Sequence, residues 1–269
     1  LKALSSGANY AEAYSNFDRT NYTQSDYRAI VGESLGLIYG YEFDGIYQVD
    51  DFYTSAATGK LILKPGITNN TRYDGGAAPG VVKYKDQNGD GKITTADRTV
   101  IGNAMPKWFG GITNSFSFKG IDFSFMLQYS YGNDVFNATR QFATGSQDQR
   151  YNMLAEVADR WSPTNASNKV PSTKGYVKGD VYSRFVEDGS FLRLKNMTLG
   201  YSLPKKWINK IHISKLRIYG TAQNLFCISG YSGYDPEVST AASNPMTPGL
   251  DWGAYPKSRV FTFGLDVQF

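Results

Sequence analysis

One stretch of the chain, YKDQNGDGKITTADR (residues 84–98), carries acidic and amide side chains at the spacing of a calcium-binding loop. Ca²⁺ takes about six to eight oxygen ligands, and a glycine in the middle of such a loop allows the sharp turn. Gly91 holds that position here. The candidate ligands are side-chain oxygens and one main-chain carbonyl, from Asp86, Asn88, Asp90, Lys92 (carbonyl), Thr94 and Asp97. The sequence therefore predicts a structural Ca²⁺ site.

The details of this loop argue against a calcium sensor. Asp97 stands where such loops usually have Glu, and its shorter side chain is less suited to bidentate binding, so we expect moderate affinity. The flanking residues are rich in Gly and Pro, which prevents helices from entering and leaving the loop. The alternative is a turn built on Asn-Gly and Asp-Gly with a solvated acidic rim. Mg²⁺ is a weaker candidate because it tolerates irregular coordination poorly.

The composition favours strands and turns and argues against several functions. The chain has 20 Tyr, 16 Phe and 28 Gly among 269 residues, which is typical of β-rich proteins. Its single cysteine, Cys227, cannot form an internal disulfide, and we interpret it as a packed strand residue. His212 is the only histidine, which argues against a His-based metal centre or a Ser-His-Asp triad. The net charge of +4 is scattered, so no basic tract indicates nucleic-acid binding.

Hydropathy alone does not decide whether the chain meets a membrane. No apolar run approaches the ~20 residues of a membrane helix, and the first residues do not have the pattern of a signal peptide. A transmembrane β-strand, however, needs an apolar residue only at every second position. The question therefore depends on the strands.

Several segments alternate apolar and polar residues, which predicts strands with two unlike faces. They are LGLIYGYEFDGIY (35–47), GGITNSFSFKG (110–120), IDFSFMLQYSYG (121–132), FLRLKNMTLGYSLP (191–204), KLRIYGTAQNLFCI (215–228) and FTFGLDVQF (261–269). In the fourth segment Leu192 and Leu194 are out of phase with Met197 and Leu199. That change of phase indicates a β-bulge near Lys195, or a strand that starts beyond the apolar band.

Two architectures can use such strands. A soluble β-sandwich with one wet face is the more common, and a calcium-stabilised carbohydrate-binding module or glycoside hydrolase fragment would be an example. The apolar faces, however, end in Tyr and Phe, as the aromatic girdle of a membrane barrel does. The predicted connections also alternate between long (48–108, 133–188, 229–257) and short (119–120, 204–214). Every long connection falls on the same rim, which favours the barrel.

Longer motifs carry a specific resemblance. GESLGLIYGYEFDGIYQ, DQNGDGKITTADRTVIGNAMPKWFGGITNSFSFKGIDFSF, DRWSPTNASNKVP, GSFLRLKNMTLGYSLP, LRIYGTAQNLF and GYDPEVS occur in this order over nearly the whole chain. Together they resemble the C-terminal part of SusC/RagA-type TonB-dependent outer-membrane transporters of Bacteroidetes. The end of the chain, TFGLDVQF, resembles the signal by which outer-membrane barrels are recognised by their assembly machinery, with Gly264, Val267 and Phe269 as its key residues.

The resemblance implies an all-β fold: the C-terminal strands of an antiparallel transmembrane β-barrel of about 22 strands with long extracellular loops. The predicted strands are too few to close such a barrel and would leave unpaired edges in lipid. We therefore expect residues 1–269 to be the C-terminal portion of a longer polypeptide that also provides a plug. Residues 84–98 would be a calcium-loop insert in an extracellular loop.

The resemblance also implies a function and partners. A SusD-like surface lipoprotein would cap the barrel, and TonB would power import of oligosaccharides or oligopeptides into the periplasm, so no catalytic residue is expected. Aromatic and acidic residues of the outer loops could contact the substrate or the lid: Trp108, Tyr231, Tyr234, Asp235, Trp252 and Tyr255. In the loop 133–188, the spacing of apolar residues predicts a short helix within residues 151–161.

Overall fold

The computed structural model describes residues 9–14, 25–145, 151–208, 212–240 and 244–269. The chain divides into two compact units. The sheet unit consists of Pro106–Asn133, Asp188–Glu237 and Ala254–Phe269. The loop unit consists of Leu1–Met105, Asp134–Glu187 and Val238–Gly253. Each unit is therefore assembled from segments that are far apart in the sequence.

Most of the regular secondary structure in both units is strand. In chain order they are β1 (Tyr10–Ala13), β2 (Tyr27–Ile30), β3 (Leu37–Gly40), β4 (Phe43–Ile46), β5 (Phe52–Thr54), β6 (Leu61–Leu63), β7 (Val82–Tyr84), β8 (Thr99–Asn103), β9 (Trp108–Phe118), β10 (Ile121–Tyr131), β11 (Asp134–Asn137), β12 (Val186–Asp188), β13 (Phe191–Ser202), β14 (Lys215–Ser229), β15 (Leu250–Asp251) and β16 (Val260–Gln268). The α-helices are α1 (Ala138–Gly145) and α2 (Lys205–Ile208). Short 3₁₀ helices lie at Val49–Asp51, Thr95–Asp97, Ala155–Asp159 and Ser183–Phe185. Within the described residues, no helix is long and apolar enough to cross a membrane.

The sheet unit is a five-stranded antiparallel sheet in the order β16-β14-β13-β10-β9. The turn from β9 to β10 consists of Lys119 and Gly120, both with positive φ (48° and 86°), as a two-residue hairpin turn of the primed type requires. This confirms the tight connection predicted there. We name this end of the sheet the turn end, and the opposite end, where β9, β13 and β16 begin, the loop end.

The two faces of this sheet differ, because successive side chains of a strand point to opposite sides. One row across all the strands is apolar or glycine: Phe116, Phe123, Leu199, Gly220 and Phe263. Leu199 is 55% and Phe263 85% exposed. The next row, on the other face, is mostly polar or glycine: Ser117, Asp122, Gly200, Tyr219 and Gly264. An exposed apolar face opposite a polar one is the arrangement of a transmembrane barrel wall.

The predicted bulge is confirmed. Leu127 pairs with Leu194 while Met126 pairs with Asn196, so Lys195 is left out of the register. The same two residues of β13 frame a shift against β14, where Leu194 pairs with Phe226 and Asn196 with Gln223. The bulge changes the phase of β13, so that Leu192 and Leu194 share the apolar face with Met197 and Leu199.

The segment 35–47 was expected to form one more strand of this sheet, and that prediction is wrong. It forms β3, which pairs with β2 and β8, and β4, which pairs with β7. Leu37, Ile38 and Tyr41 are all buried, so neither side of the segment is free to face lipid. The alternation reflects two short strands in a core of their own.

The loop unit has that core, and all three of its segments contribute to it. Tyr41 and Tyr84 are stacked with ring centroids 4.8 Å apart, and Tyr182 packs on Tyr84 at 5.5 Å. Leu250, from the third segment, is buried in the same cluster. Each such aromatic or aliphatic side chain contributes about 1.5–3 kcal/mol when it is buried. The predicted outer loops therefore fold together as one body.

The helix predicted within residues 151–161 is present as the short 3₁₀ helix Ala155–Asp159. Helix α1, earlier in the same connection, was not predicted. Its sequence, ATRQFATG, is too short and too polar for a strong helical pattern. The inner connection predicted at 204–214 includes α2, and its residues 209–211 lie outside the described residues.

We expect the apolar face to tolerate charge poorly. In the full-length barrel protein, Leu199→Arg should lower the free energy of unfolding by ~2–4 kcal/mol, because arginine at mid-membrane on a lipid-facing strand costs about that much. Thr262→Arg, on the polar face, is the matched control and should cost under ~1 kcal/mol. Urea titrations in lipid vesicles, followed by heat-modifiable gel mobility, would measure both. Equal losses would contradict a lipid-facing assignment.

Candidate functional site

The acidic loop 86–97 is closed by hydrogen bonds to its own backbone. The Asp86 carboxylate accepts from the N–H groups of Gly89 and Gly91, both at 2.7 Å. Asn88 Oδ1 accepts from the N–H of Asp90 at 3.0 Å, and Asp90 Oδ1 accepts from the N–H of Lys92 at 2.9 Å. Each of these side chains therefore accepts from a backbone N–H two to five positions later and holds the turn closed.

The end of the loop is fixed to the body of the loop unit. Asp97 is fully buried, and its carboxylate accepts from the N–H groups of Gln87 (3.0 Å) and Thr94 (2.7 Å). Ile93 is also fully buried, so its side chain points back into the protein. Asn69 donates its N–H to the Gly91 carbonyl (2.9 Å). The loop is therefore a hydrogen-bonded turn that is anchored to the core of the loop unit.

The hydrogen bonds to Asp86 affect the pKa of its carboxyl group. Partial desolvation acts to raise the pKa of Asp86, but hydrogen bonds from the Gly91 and Gly89 N–H groups outweigh it and hold the pKa below its ordinary value. The carboxylate is therefore ionised at neutral pH. Within the described residues, no group of three or more His, Cys, Asp or Glu is arranged to hold a metal ion. The ion site remains a prediction.

A second cluster lies on the polar face, near the loop end of the sheet. Arg193 on β13 is only 4% exposed, and its Nη2 donates to Oδ1 of Asp235 at 2.5 Å. Its Nε lies 3.7 Å from Oε2 of Glu237, which is too long for a hydrogen bond. Lys257 Nζ donates to the same Glu237 oxygen. The cluster ties both ends of the last outer connection to the strands of the sheet.

Two further polar side chains extend this cluster. Lys195, the bulged residue of β13, donates to Oε1 of Gln128 on β10 at 2.7 Å. Gln128 in turn donates through Nε2 to Oε1 of Glu237 at 3.5 Å. None of Arg193, Lys195, Gln128 and Glu237 was predicted as a site residue. The available signal was the motif GYDPEVS together with the change of phase near Lys195.

The structure divides the predicted contact residues into two groups. Trp108, Tyr234 and Tyr255 are exposed, with Tyr255 at 91%. Tyr231 is buried, and Asp235 is buried against Arg193. Trp252 packs edge-on against Phe142, with ring centroids 5.3 Å apart. Trp108 pairs with Tyr131 on the same apolar face as Phe116 and Phe123, so its exposed ring lies on the side assigned to lipid. Tyr234 and Tyr255 remain accessible in the last outer connection, whereas the second group holds loops in place.

The residues of the predicted assembly signal lie on or just after β16. Gly264 pairs with Tyr219, whose ring occupies the space a Cβ would need, with its nearest atom at 2.4 Å. Val267 pairs with Leu216 on the apolar face. Phe269 follows the strand and is exposed. Gly264 therefore has a packing role here, and the assembly role of the three residues remains a prediction.

The Arg193–Asp235 pair should contribute far more to the free energy of unfolding than the neighbouring pair of Lys257 and Glu237. In the full-length protein, Asp235→Ala should destabilise by ~3–5 kcal/mol, because it leaves a buried guanidinium without its partner. Lys257→Met, which removes an exposed ion pair, is the control and should cost under ~1 kcal/mol. Replacing both partners (Arg193→Met with Asp235→Leu) should recover much of the loss. Unfolding in denaturant measures all three, and a cost for Asp235→Ala as small as the control's would contradict this assignment.

Comparisons with known proteins were made by sequence and by structure. No protein-family model matches the chain. The TonB-dependent receptor P3 of Formosa agariphila is 35% identical over 88% of this chain, and the TonB-dependent receptor P26 of the same organism is 34% identical over 90%. The TonB-dependent receptor SusC of Bacteroides thetaiotaomicron is 32% identical over 73%. The chain spans only 22%, 23% and 18% of the lengths of these three relatives.

Solved structures agree on the fold. The RagAB peptide transporter matches with a TM-score of 0.68 and 22% identity, over 99% of this chain and 25% of that one. The RagAB peptide importer in the 'open-open' state matches with a TM-score of 0.67 and 20% identity, with the same coverage. The relatives are receptors and importers rather than enzymes. Together with the two-faced sheet, these similarities show that the chain belongs to the SusC/RagA family of TonB-dependent receptors and forms part of an outer-membrane β-barrel with loops at the cell surface.

Proposed function

We propose that this chain supplies barrel wall and outer loops to an active importer that carries oligosaccharides or oligopeptides across the outer membrane into the periplasm. The observation that carries the proposal is the five-stranded sheet, with one exposed apolar face and one polar face. Such a wall separates lipid from a polar lumen. The similarity to SusC and to the RagAB importer supports import as the activity.

The proposal includes partners. The remainder of the same barrel would pair with the edges of β9 and β16, and outer-membrane lipid would cover the apolar face. The plug would occupy the lumen and be moved by TonB, and the outer-membrane assembly machinery would insert the barrel. A SusD-like lipoprotein would cap the outer side. The exposed Tyr234 and Tyr255 are the candidates for contact with this lid or with substrate, since aromatic rings can stack on sugars or peptides. Trp108, opposite Tyr131 on the apolar face, would meet lipid instead.

A strain that lacks the full-length gene tests this function. We expect it to lose uptake of fluorescently labelled members of one nutrient class, either oligosaccharides or oligopeptides. The intact gene should restore uptake, and restoration should fail in cells without TonB. A general porin measured in the same cells controls for damage to the membrane. Unchanged uptake of both classes in the deletion strain would contradict the proposal.

We also propose that the loop 86–97 binds Ca²⁺ as a structural ion. The candidate ligands Asp86, Asn88 and Asp90 lie within one hydrogen-bonded turn, and a carboxylate oxygen that accepts one N–H keeps a further lone pair for a cation. The lowered pKa of Asp86 keeps its charge available at neutral pH. Binding at about 100 times Kd would stabilise the folded loop by ~2.7 kcal/mol.

Proteolysis of the full-length protein tests the ion. Removing Ca²⁺ with a chelator should increase cleavage within residues 84–98, and adding Ca²⁺ back should reverse it. The double variant Asp86→Ala, Asp90→Ala should be cleaved equally in both conditions. Asp74→Ala changes an exposed aspartate elsewhere in the loop unit and should behave like the wild type. Cleavage of the wild type that does not respond to Ca²⁺ would show that the loop is only a hydrogen-bonded turn.

A further inference from the structure

A recess of about 420 Å³ opens on the sheet unit near its loop end. Its size falls in the ~300–1,000 Å³ range of small-molecule pockets. The apolar part of its lining includes Phe109, Met126 and Phe191, and Gly111 on β9 adds no side chain. Lys195, Gln128 and Glu237 provide the polar part. The recess therefore combines apolar walls with a small number of placed polar groups.

The β-bulge places two consecutive residues of β13, Lys195 and Asn196, on the polar side of the sheet. In a regular strand, Lys195 would follow Arg193 and Leu194 on alternating sides, and Asn196 would lie on the apolar face. Because Lys195 is left out of the register, Asn196 stays opposite Met126 on the polar face. The Lys195 ammonium reaches Gln128 at 2.7 Å on that same face. Bulges in barrels often redirect one side chain in this way.

The neighbouring strand is irregular at the same level. Between Gln223 and Phe226, β14 contains two residues that pair with neither Leu194 nor Asn196. One of them, Asn224, has a φ of 51°, a left-handed conformation that non-glycine residues adopt only rarely. Two adjacent strands therefore depart from regular geometry around Lys195. Such local strain persists only where surrounding contacts maintain it, and it is concentrated at functional sites.

The two carboxylates near the recess are already paired with other cations, so the positive charge of Lys195 is left unneutralised. Arg193 pairs with Asp235, and Lys257 pairs with Glu237. Among the described residues, no ion pair to Lys195 is found, and its ammonium donates a hydrogen bond to the neutral amide of Gln128. An ammonium group has three N–H donors. At least one of them can therefore serve an anionic ligand.

We propose that this recess binds a carboxylate group of the transported nutrient, with Lys195 as the anion-binding residue and Gln128 holding its ammonium in place. This inference rests on the proposed import function. A sugar acid and a peptide C-terminus share the required chemistry: a carboxylate next to a less polar body that can pack on Phe109 and Phe191. A charge-assisted hydrogen bond to a carboxylate is about twice as strong as a neutral one, so Lys195 selects acidic over neutral solutes.

Direct binding to the purified full-length protein tests the recess without relying on transport. Two probe pairs are compared by isothermal titration calorimetry: trigalacturonate with trigalactose, and tetra-alanine with its C-terminal amide. In one pair the acidic member should bind about tenfold more tightly, the ratio that corresponds to ~1.4 kcal/mol. Which pair responds distinguishes a sugar acid from a peptide.

Three variants define the outcome. Lys195→Met should remove the preference for the acidic probe, and Lys195→Arg should retain most of it. Lys205→Met, on α2 at the turn end, is the matched control and should bind like the wild type. The proposal is overturned if the wild type shows no preference in either pair or if Lys195→Met keeps it. It is also overturned if Lys195→Met lowers thermal stability and weakens both members of a pair equally, since Lys195 would then be a structural contact. Normal binding selectivity with absent uptake would count against the import function alone.

Discussion

The sheet unit depends on one constraint, the strict alternation of side chains along a strand. In lipid, every backbone N–H and C=O must be paired within the sheet, so the only freedom left to a strand is which side chains face which side. A shift by one residue would exchange the two faces. The row from Phe116 to Phe263 shows how closely all five strands keep to this alternation. The bulge at Lys195 is the place where β13 changes phase. It adds a charged residue on the polar face, while the apolar residues before and after it stay on the apolar face.

The loop unit follows a different principle, because its core excludes water rather than facing lipid. It buries tyrosines and also several acids, among them Asp180, which is fully buried 2.8 Å from Arg72. Burial raises the pKa of this carboxyl to about 6, although Arg72 acts to lower it. Its contribution favours the folded state at low pH, below the ordinary pKa of aspartate, and is lost as the pH rises through about 6. Arg72 keeps the charged form tolerable at neutral pH.

The structural features that could be predicted from the sequence are those that follow from local periodicity. The faces of β10 and β16, the Lys119-Gly120 turn and the bulge at Lys195 can all be derived from the alternation of side chains and from turn chemistry. The same reasoning failed for residues 35–47, because strands in a small buried core and strands in a membrane can share one pattern. The Arg193–Asp235 pair was not predicted because its partners lie 42 positions apart, and a charge pair leaves no periodic signal. Asp235 was therefore taken for a contact residue, and nothing in its neighbourhood in the sequence indicated that it would be buried.

The loop unit gathers residues from three separate stretches of chain, and Tyr27 shows what this requires. Its hydroxyl donates to the carbonyl of Pro248, 221 positions later (2.9 Å). The loop unit can therefore be completed only after all three of its segments have been synthesised and brought together. Contacts between residues so far apart in the sequence make folding slow, so this tyrosine-rich core stays open to proteases until the last of the three segments has been added.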